Sequence, residues 1–263
     1  MARPLALITG ASAGIGKELA RQFAAGGHDL ILTARRQVEL EKLANELASA
    51  HGVTVIVISV DLAESMAPQK LFDEVLARGL QVDVLVNNAG FGIYGPFVES
   101  DPARLTALVQ VNITALTQLM RLFAPDMVVR GKGKILNVAS TAAFQPGPLM
   151  AEYYASKAYV LSLSEAVAYE LRNTRVTVTC LCPGPTATEF GQAAAMDGSK
   201  LFDGPKVMTA AAVAEVGYRG TMKGKRVVIA GFGNWLGTVF GRFVPRVVLL
   251  RLVERVQAKK SAD

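Results

Sequence analysis

The chain reads as an α/β protein built on a doubly wound parallel sheet of about seven strands with helices on both faces. Three observations predict this class. Seven short apolar runs recur, and they are continuous rather than alternating in hydrophobicity, as strands buried on both faces require. Longer stretches with helical spacing lie between them, and a helix between successive strands makes their pairing parallel. The polar exceptions fall at the carboxyl ends of the runs or on the adjoining helices, the edge at which such sheets bind ligands.

The predicted strands are 5–9, 29–33, 54–60, 82–87, 134–138, 175–181 and 226–230. Helical patterns occupy 15–25, 37–50, 68–78, 102–130, 152–172 and 209–222. Segments 102–130 and 152–172 are apolar almost all round. One side must cover the sheet, so the other is expected to meet a second subunit, giving a homodimer or homotetramer.

Composition sets the bounds. The 263 residues are 51% hydrophobic and 19% charged, enough for one large core, and no linker, repeat or low-complexity tract divides them. The net charge of +6 invites a nucleic-acid reading. However, its cations gather at the C-terminus and at Arg35-Arg36 without interleaved aromatics, so no nucleic-acid partner is expected. Cys180 and Cys182 read as small buried side chains in a strand, and no metal site is expected. The N-terminal apolar run is too short for a signal peptide, and a cytoplasmic location is the expectation.

The first strand ends in Thr9-Gly10-Ala11-Ser12-Ala13-Gly14-Ile15-Gly16, and a helix follows directly. Glycines let the backbone turn sharply and approach a pyrophosphate, whose charge is met by N–H groups at the helix start. Strand, glycine loop and helix in that order make a Rossmann-type dinucleotide site. An NAD site usually carries an acid at the end of the second strand to bind the ribose. Here the strand runs into Ala34-Arg35-Arg36. Two arginines suit a 2′-phosphate, so NADP(H) is expected over NAD. Surface cations at a helix start are the bland alternative, although they oppose the helix dipole.

Tyr153 and Lys157 stand four residues apart, a little over one helical turn, with Ser140 upstream. A phenol titrates at about pH 10 and is a poor acid or base at neutrality, whereas an adjacent cation favours the phenolate. A serine hydroxyl could then hold a substrate oxygen against the phenol. The set suits proton transfer between an alcohol and a carbonyl.

In motif order and spacing, up to Gly231, the chain resembles the short-chain dehydrogenase/reductase family in its one-domain subtype. The matches are Thr9-Gly10-x3-Gly14-x-Gly16, Asp61, Asn87-Asn88-Ala89-Gly90, Asn112, Ser140, Tyr153-x3-Lys157, and Pro183-Gly184 with Thr188. The resemblance implies four catalytic residues. Tyr153 would be the acid/base and Ser140 would polarise the substrate oxygen. Lys157 would hold the nicotinamide ribose and depress the tyrosine's pKa, and Asn112 would bend its helix and hold a proton-relaying water. It also implies the cofactor contacts. Gly10, Ser12, Gly14, Ile15, Gly16, Arg35 and Arg36 match the phosphate side, and Asp61 resembles the adenine-contacting acid. Asn87 and Gly90 would line the middle, and Pro183, Gly184 and Thr188 would meet the nicotinamide. Leu62, Asn88, Ala89 and Thr186 complete the expected cofactor-binding set. Ala13 departs from NADP-using relatives that are basic there. Singly, each residue has a plain alternative: Asn112 as a helix hydrogen-bonder, Asp61 as a cap, Asn87-Asn88 as a turn.

Substrate choice is expected from loops 91–97, 141–150 and 185–208. They carry Phe91, Ile93, Tyr94, Phe97, Phe144, Leu149, Phe190, Met196, Leu201, Phe202 and Met208, against few charges: Glu152, Glu189, Asp197, Lys200, Asp203 and Lys206. An apolar ketone or secondary alcohol follows. The expected layout is a dinucleotide-binding and catalytic domain over 1–230 with a basic amphipathic extension over 231–263, where Arg251, Arg255 and Lys259 recur at helical spacing. That extension is expected to pack on protein, with peripheral membrane contact as the alternative. The expected activity is NADP(H)-dependent interconversion of a ketone or aldehyde and an alcohol. The alternative is a catalytically idle NADP-binding regulatory or membrane-associated protein.

Overall fold

A computed structural model of the chain describes residues 3–194, 207–241 and 243–258. The elements run β1 (Leu5–Thr9), α1 (Gly14–Ala25), β2 (Asp29–Thr33), α2 (Gln37–His51), β3 (Val55–Val57), α3 (Ala67–Ala77), β4 (Val84–Asn87), α4 (Pro102–Val109), α5 (Leu116–Val129) and β5 (Gly133–Val138). They continue with α6 (Ala151–Glu170), β6 (Val176–Cys182), β7 (Thr186–Ala187), α7 (Phe190–Ala193), β8 (Met208–Thr209), α8 (Ala210–Met222), β9 (Val227–Ile229), α9 (Phe232–Phe240) and α10 (Arg246–Gln257). Seven strands pair in parallel in the order β3-β2-β1-β4-β5-β6-β9. The order reverses between β1 and β4, so a crevice opens there at the carboxyl edge.

Successive strand residues face opposite sides, and β1 serves two cores. Leu5 and Leu7 join Leu71, Leu116, Phe123 and Val160 from α3, α5 and α6. Ala6 and Ile8 join Leu19, Phe23, Leu40 and Val213 from α1, α2 and α8. Residues 102–129 are long and apolar enough to cross a bilayer by length and composition. Here Leu108, Leu119, Phe123 and Met127 are instead buried within the protein.

Four differences from the sequence expectation have physical reasons. The third strand is laddered only over Val55–Val57, although Ile58 N–H to Leu32 O (3.1 Å) and Val60 N–H to Ala34 O (3.1 Å) continue its bonding. The expected helix 102–130 is interrupted by a π-turn over Gln110–Ala115, centred near Asn112. Within the expected loop 185–208, β7 and β8 pair as a separate two-stranded ribbon. Met196, Asp197, Lys200, Leu201, Phe202, Asp203 and Lys206 lie outside the described residues, as do Arg242 and Lys259. Beyond β9 the glycine-rich stretch forms α9, which its composition conceals.

Phe23 is fully buried and meets the rings of His28 and Tyr218 edge-on at 5.2 and 5.0 Å. Phe23→Ala is expected to cost about 3–5 kcal/mol, read as a lowered urea midpoint with unchanged slope. A loss well under 1 kcal/mol would show that α1 and α8 do not share the packed layer described.

Candidate active site

The β1 loop is built by exclusion. Gly10 and Gly14 adopt left-handed φ values of 66° and 53°. A Cβ on Gly16 would stand 2.2 Å from Gly10 O and 2.4 Å from the Asn88 amide nitrogen. A knot of hydrogen bonds ties this loop to the end of β4. The Thr9 hydroxyl accepts from Asn88 N–H and Ala89 N–H, each at 3.0 Å, and the Asn88 side chain donates to Thr9 O (2.9 Å) and Gly10 O (3.2 Å).

Above the knot a cavity of about 320 Å³ opens at the carboxyl ends of the central strands. Its wall includes Gly10, Gly14, Ile15, Asn88, Ala89, Gly90, Ser140, Tyr153, Lys157, Pro183, Gly184, Thr186 and Thr188. The structure thus gathers into one space residues that the sequence scatters over nearly 180 positions. Thr186 Oγ1 donates to Gly184 O (2.9 Å), and Thr188 Oγ1 accepts from Phe190 N–H (3.2 Å). Both bonds shape the segment that faces the glycine loop.

Several expected residues lie elsewhere. Asn87 is buried, and its amide donates to Asn137 Oδ1 (2.9 Å) inside the sheet rather than facing the cavity. Leu62 sends its side chain into the core. Asp61 accepts from Ala63 N–H (3.0 Å), closing a turn. Asn112 sits behind the cavity wall. Its amide donates to Phe91 O and Ser156 Oγ at 3.0 Å, and its carbonyl accepts from Phe91 N–H at 3.1 Å. Ser156 in turn donates to Tyr153 O (2.7 Å), so the π-turn is fastened to the tyrosine's helix.

Ser12, Arg35 and Arg36 rim the loop. The Arg36 guanidinium donates to Ser12 Oγ (3.3 Å) and pairs with Glu189 at 3.0 Å. A loop with no room for a Cβ at Gly10 or Gly16, followed by a helix start and with Arg36 at its rim, fits a dinucleotide with a 2′-phosphate.

The reactive groups share one wall. Ser140 Oγ accepts from Ala142 N–H (3.1 Å) and donates to Pro183 O (3.4 Å). The Lys157 ammonium donates to Val138 O (2.9 Å) and lies 5.6 Å from the centre of the Tyr153 ring. Electrostatically the outcome differs from the sequence expectation. Burial pushes the Tyr153 phenol above its ordinary range, although the ring keeps part of its surface open to the cavity, and a hydrogen bond with Ser140 pulls it partly back. Burial also brings the Lys157 amine down to about 8. Desolvation therefore outweighs the neighbouring cation in the chain alone.

Sequence reasoning missed Asn137, Ser156, Gln145 and Gln257. The Gln257 side-chain amide donates to the Tyr154 hydroxyl (2.6 Å), and the Gln257 backbone carbonyl accepts from the Tyr94 hydroxyl (3.1 Å). Burial raises the Tyr154 phenol to about 12, opposed by hydrogen bonds with Gln257 and Gln145. Spacing does reveal that Tyr154 is no partner for Lys157, but nothing in sequence announces a bond across 103 residues.

Comparison with known proteins agrees with this geometry. The profile of the short chain dehydrogenase family matches residues 4–197. A very-long-chain 3-oxoacyl-CoA reductase of Pyrenophora tritici-repentis is 35% identical over 83% of this chain and 65% of its own length. The chain thus spans slightly less than two thirds of that relative, and 64% of the similar protein from Phaeosphaeria nodorum. A short-chain dehydrogenase from Sphingobium yanoikuyae, solved in complex with NADPH, is 32% identical, with 99% of each chain covered and a TM-score of 0.82. The bulky-bulky ketone specific alcohol dehydrogenase from Comamonas testosteroni is 31% identical, with 91% of this chain and 92% of that chain covered and a TM-score of 0.77.

The buried lysine sets a pH dependence. Its folded value of about 8 lies below the free amine's 10.5. Between those values the unfolded chain holds more protons, so this group makes stability rise with pH across that window. Lys157→Met is expected to remove that rise and to gain most stability below pH 8. Melting curves of the cofactor-free proteins test it, and parallel wild-type and variant profiles would contradict the placement of the ammonium.

Proposed function

The chain belongs to the short-chain dehydrogenase/reductase family, and from that premise we propose that it is an NADP(H)-dependent oxidoreductase interconverting an apolar ketone or aldehyde and its alcohol. One observation carries the reading. The Tyr153 phenol, Ser140 hydroxyl and Lys157 ammonium share a cavity wall with the glycine loop.

NADPH supplies the hydride when bound. This chain's residues do the rest. Gly10, Gly14 and Gly16 admit the pyrophosphate, and Arg35 and Arg36 meet the 2′-phosphate. Pro183, Gly184 and Thr188 orient the nicotinamide end. Ser140 donates a hydrogen bond to the carbonyl oxygen, polarising it, and Tyr153 Oη delivers the proton to that oxygen. Its raised pKa suits the protonated, donating form at neutral pH. Lys157 stabilises the phenolate left behind, and its charge is sensitive to pH because its own value is about 8. Phe91, Met150, Tyr154 and Phe190 line the substrate side and exclude water. Relatives named for very-long-chain oxoacyl and bulky ketone substrates support an extended or bulky apolar carbonyl. A homodimer or homotetramer through α4, α5 and α6 belongs to the same reading, supported by outward Val129, Tyr159 and Tyr169.

NADPH absorbance against a ketone panel tests the activity. Tyr153→Phe is expected to lower turnover by about a hundredfold or more while cofactor affinity stays near wild type. A fully active variant would remove the proton-transfer role. Arg35→Ala with Arg36→Ala should raise the KM for NADPH far more than that for NADH. Conversely, Glu189→Gln releases Arg36 from a half-exposed ion pair. Such a pair contributes at most about 1 kcal/mol, so the KM for NADPH should fall by about fivefold or less. An unchanged or higher KM for Glu189→Gln would show that the carboxylate does not compete for Arg36.

A further inference from the structure

α9 is folded inside out. Its polar side chains face the protein: Asn234 lies against Gly184, where a Cβ would stand 2.3 Å from its amide, and it donates to Ala230 O (2.6 Å). Thr238 is buried and donates to Trp235 O (2.8 Å). Its apolar side chains face outward. Phe232 is 76% exposed and Phe240 60%, with Trp235 and Leu236 between them, and Phe243 just beyond the helix is 81% exposed. A surface helix of a soluble protein has the opposite arrangement.

α10 presents a second exposed apolar face. Only Leu249, Val253 and Gln257, one residue per turn, form the seam that packs on the protein, the last two being fully enclosed. Val247, Val248, Leu250, Leu252 and Val256 are exposed, and Arg246, Arg251 and Arg255 stand among them. Glu254 is the one acid among the described residues of 231–258, and none of those three arginines is ion-paired there.

We propose that the outward face of α9 and α10 docks on an anionic membrane surface. Exposed aromatics and aliphatics interleaved with unpaired arginines match the requirements of an interfacial helix, in which apolar side chains enter the acyl boundary and cations meet phosphate headgroups. The charge pattern disfavours a second copy of this chain as the occupant. A two-fold interface joins the same patch on both subunits and would bring arginines against arginines with one acid per side to compensate. An anionic lipid layer compensates all of them. The chain's single tryptophan, Trp235, lies within this face and reports directly on it.

The full-length protein is mixed with vesicles of phosphatidylcholine alone, or of phosphatidylcholine with phosphatidylglycerol, and Trp235 fluorescence and co-sedimentation are followed. The emission is expected to shift to the blue only with the anionic vesicles, and binding is expected to weaken as salt rises. Arg251→Gln with Arg255→Gln should weaken partitioning by about thirtyfold, roughly fivefold for each cation. Phe240→Ser with Phe243→Ser should weaken it through a different set of contacts. Equal binding to both vesicle types, or binding to neither, would overturn the proposal. So would an emission already blue in vesicle-free buffer that shifts to the red as the protein is diluted and dissociates, which would assign the face to a second copy.

Discussion

Lys157 holds an ammonium in the interior against one backbone acceptor, the carbonyl of Val138 at 2.9 Å. Three parts of the fold have to agree for that to happen. β5 must end at Val138, whose carbonyl then turns to the ammonium. Gly90 keeps the space open, since a Cβ there would crowd the ammonium at 3.3 Å and the Asn112 carbonyl at 3.1 Å. The helix carrying Asn112 must open into its π-turn so that the amide reaches both Phe91 and Ser156. The tyrosine's position follows, since Ser156 anchors the Tyr153 backbone and Lys157 lies one turn further along α6. A charged group inside a protein is costly unless well partnered, and here that cost brings the amine to about 8.

The central strands were legible to within two residues at their ends, because a strand covered on both faces needs an unbroken apolar run. β1 and β2 begin and end where those runs do. The cofactor loop was equally legible, since Gly10 and Gly16 are required by distances under 3 Å that no side chain could share, and Gly14 by its left-handed φ of 53°. Legibility failed where geometry depends on alternation at a strand's last residue. Asn87 closes β4 and faces Asn137 inside the sheet, whereas Asn88, one residue on, turns toward the loop. Nothing in two adjacent asparagines announces which will do which. The π-turn, the Arg36–Glu189 pair and the Gln257–Tyr154 bond were hidden for a related reason: each joins residues whose proximity the completed fold creates.

Tyr153 shows how a motif can be read correctly while its electrostatics are misjudged. The sequence places a cation beside a phenol, and the structure does the same at 5.6 Å from the ring. What the sequence cannot weigh is the packing around both groups, with Tyr154 and Phe190 rings 6.1 and 5.2 Å from Tyr153. Desolvation then disfavours phenolate and ammonium together.

The π-turn at Gln110–Ala115 has a consequence for the history open to this chain. Such a turn is a helix carrying one residue more than regular winding needs. Excising one of those six would let the helix wind regularly with its downstream residues still in phase, so Leu119, Phe123 and Met127 would keep their places on the sheet. What would be lost is the widened seat from which the Asn112 amide spans Phe91 and Ser156. A shortened helix here would spare the core and loosen the wall behind Tyr153.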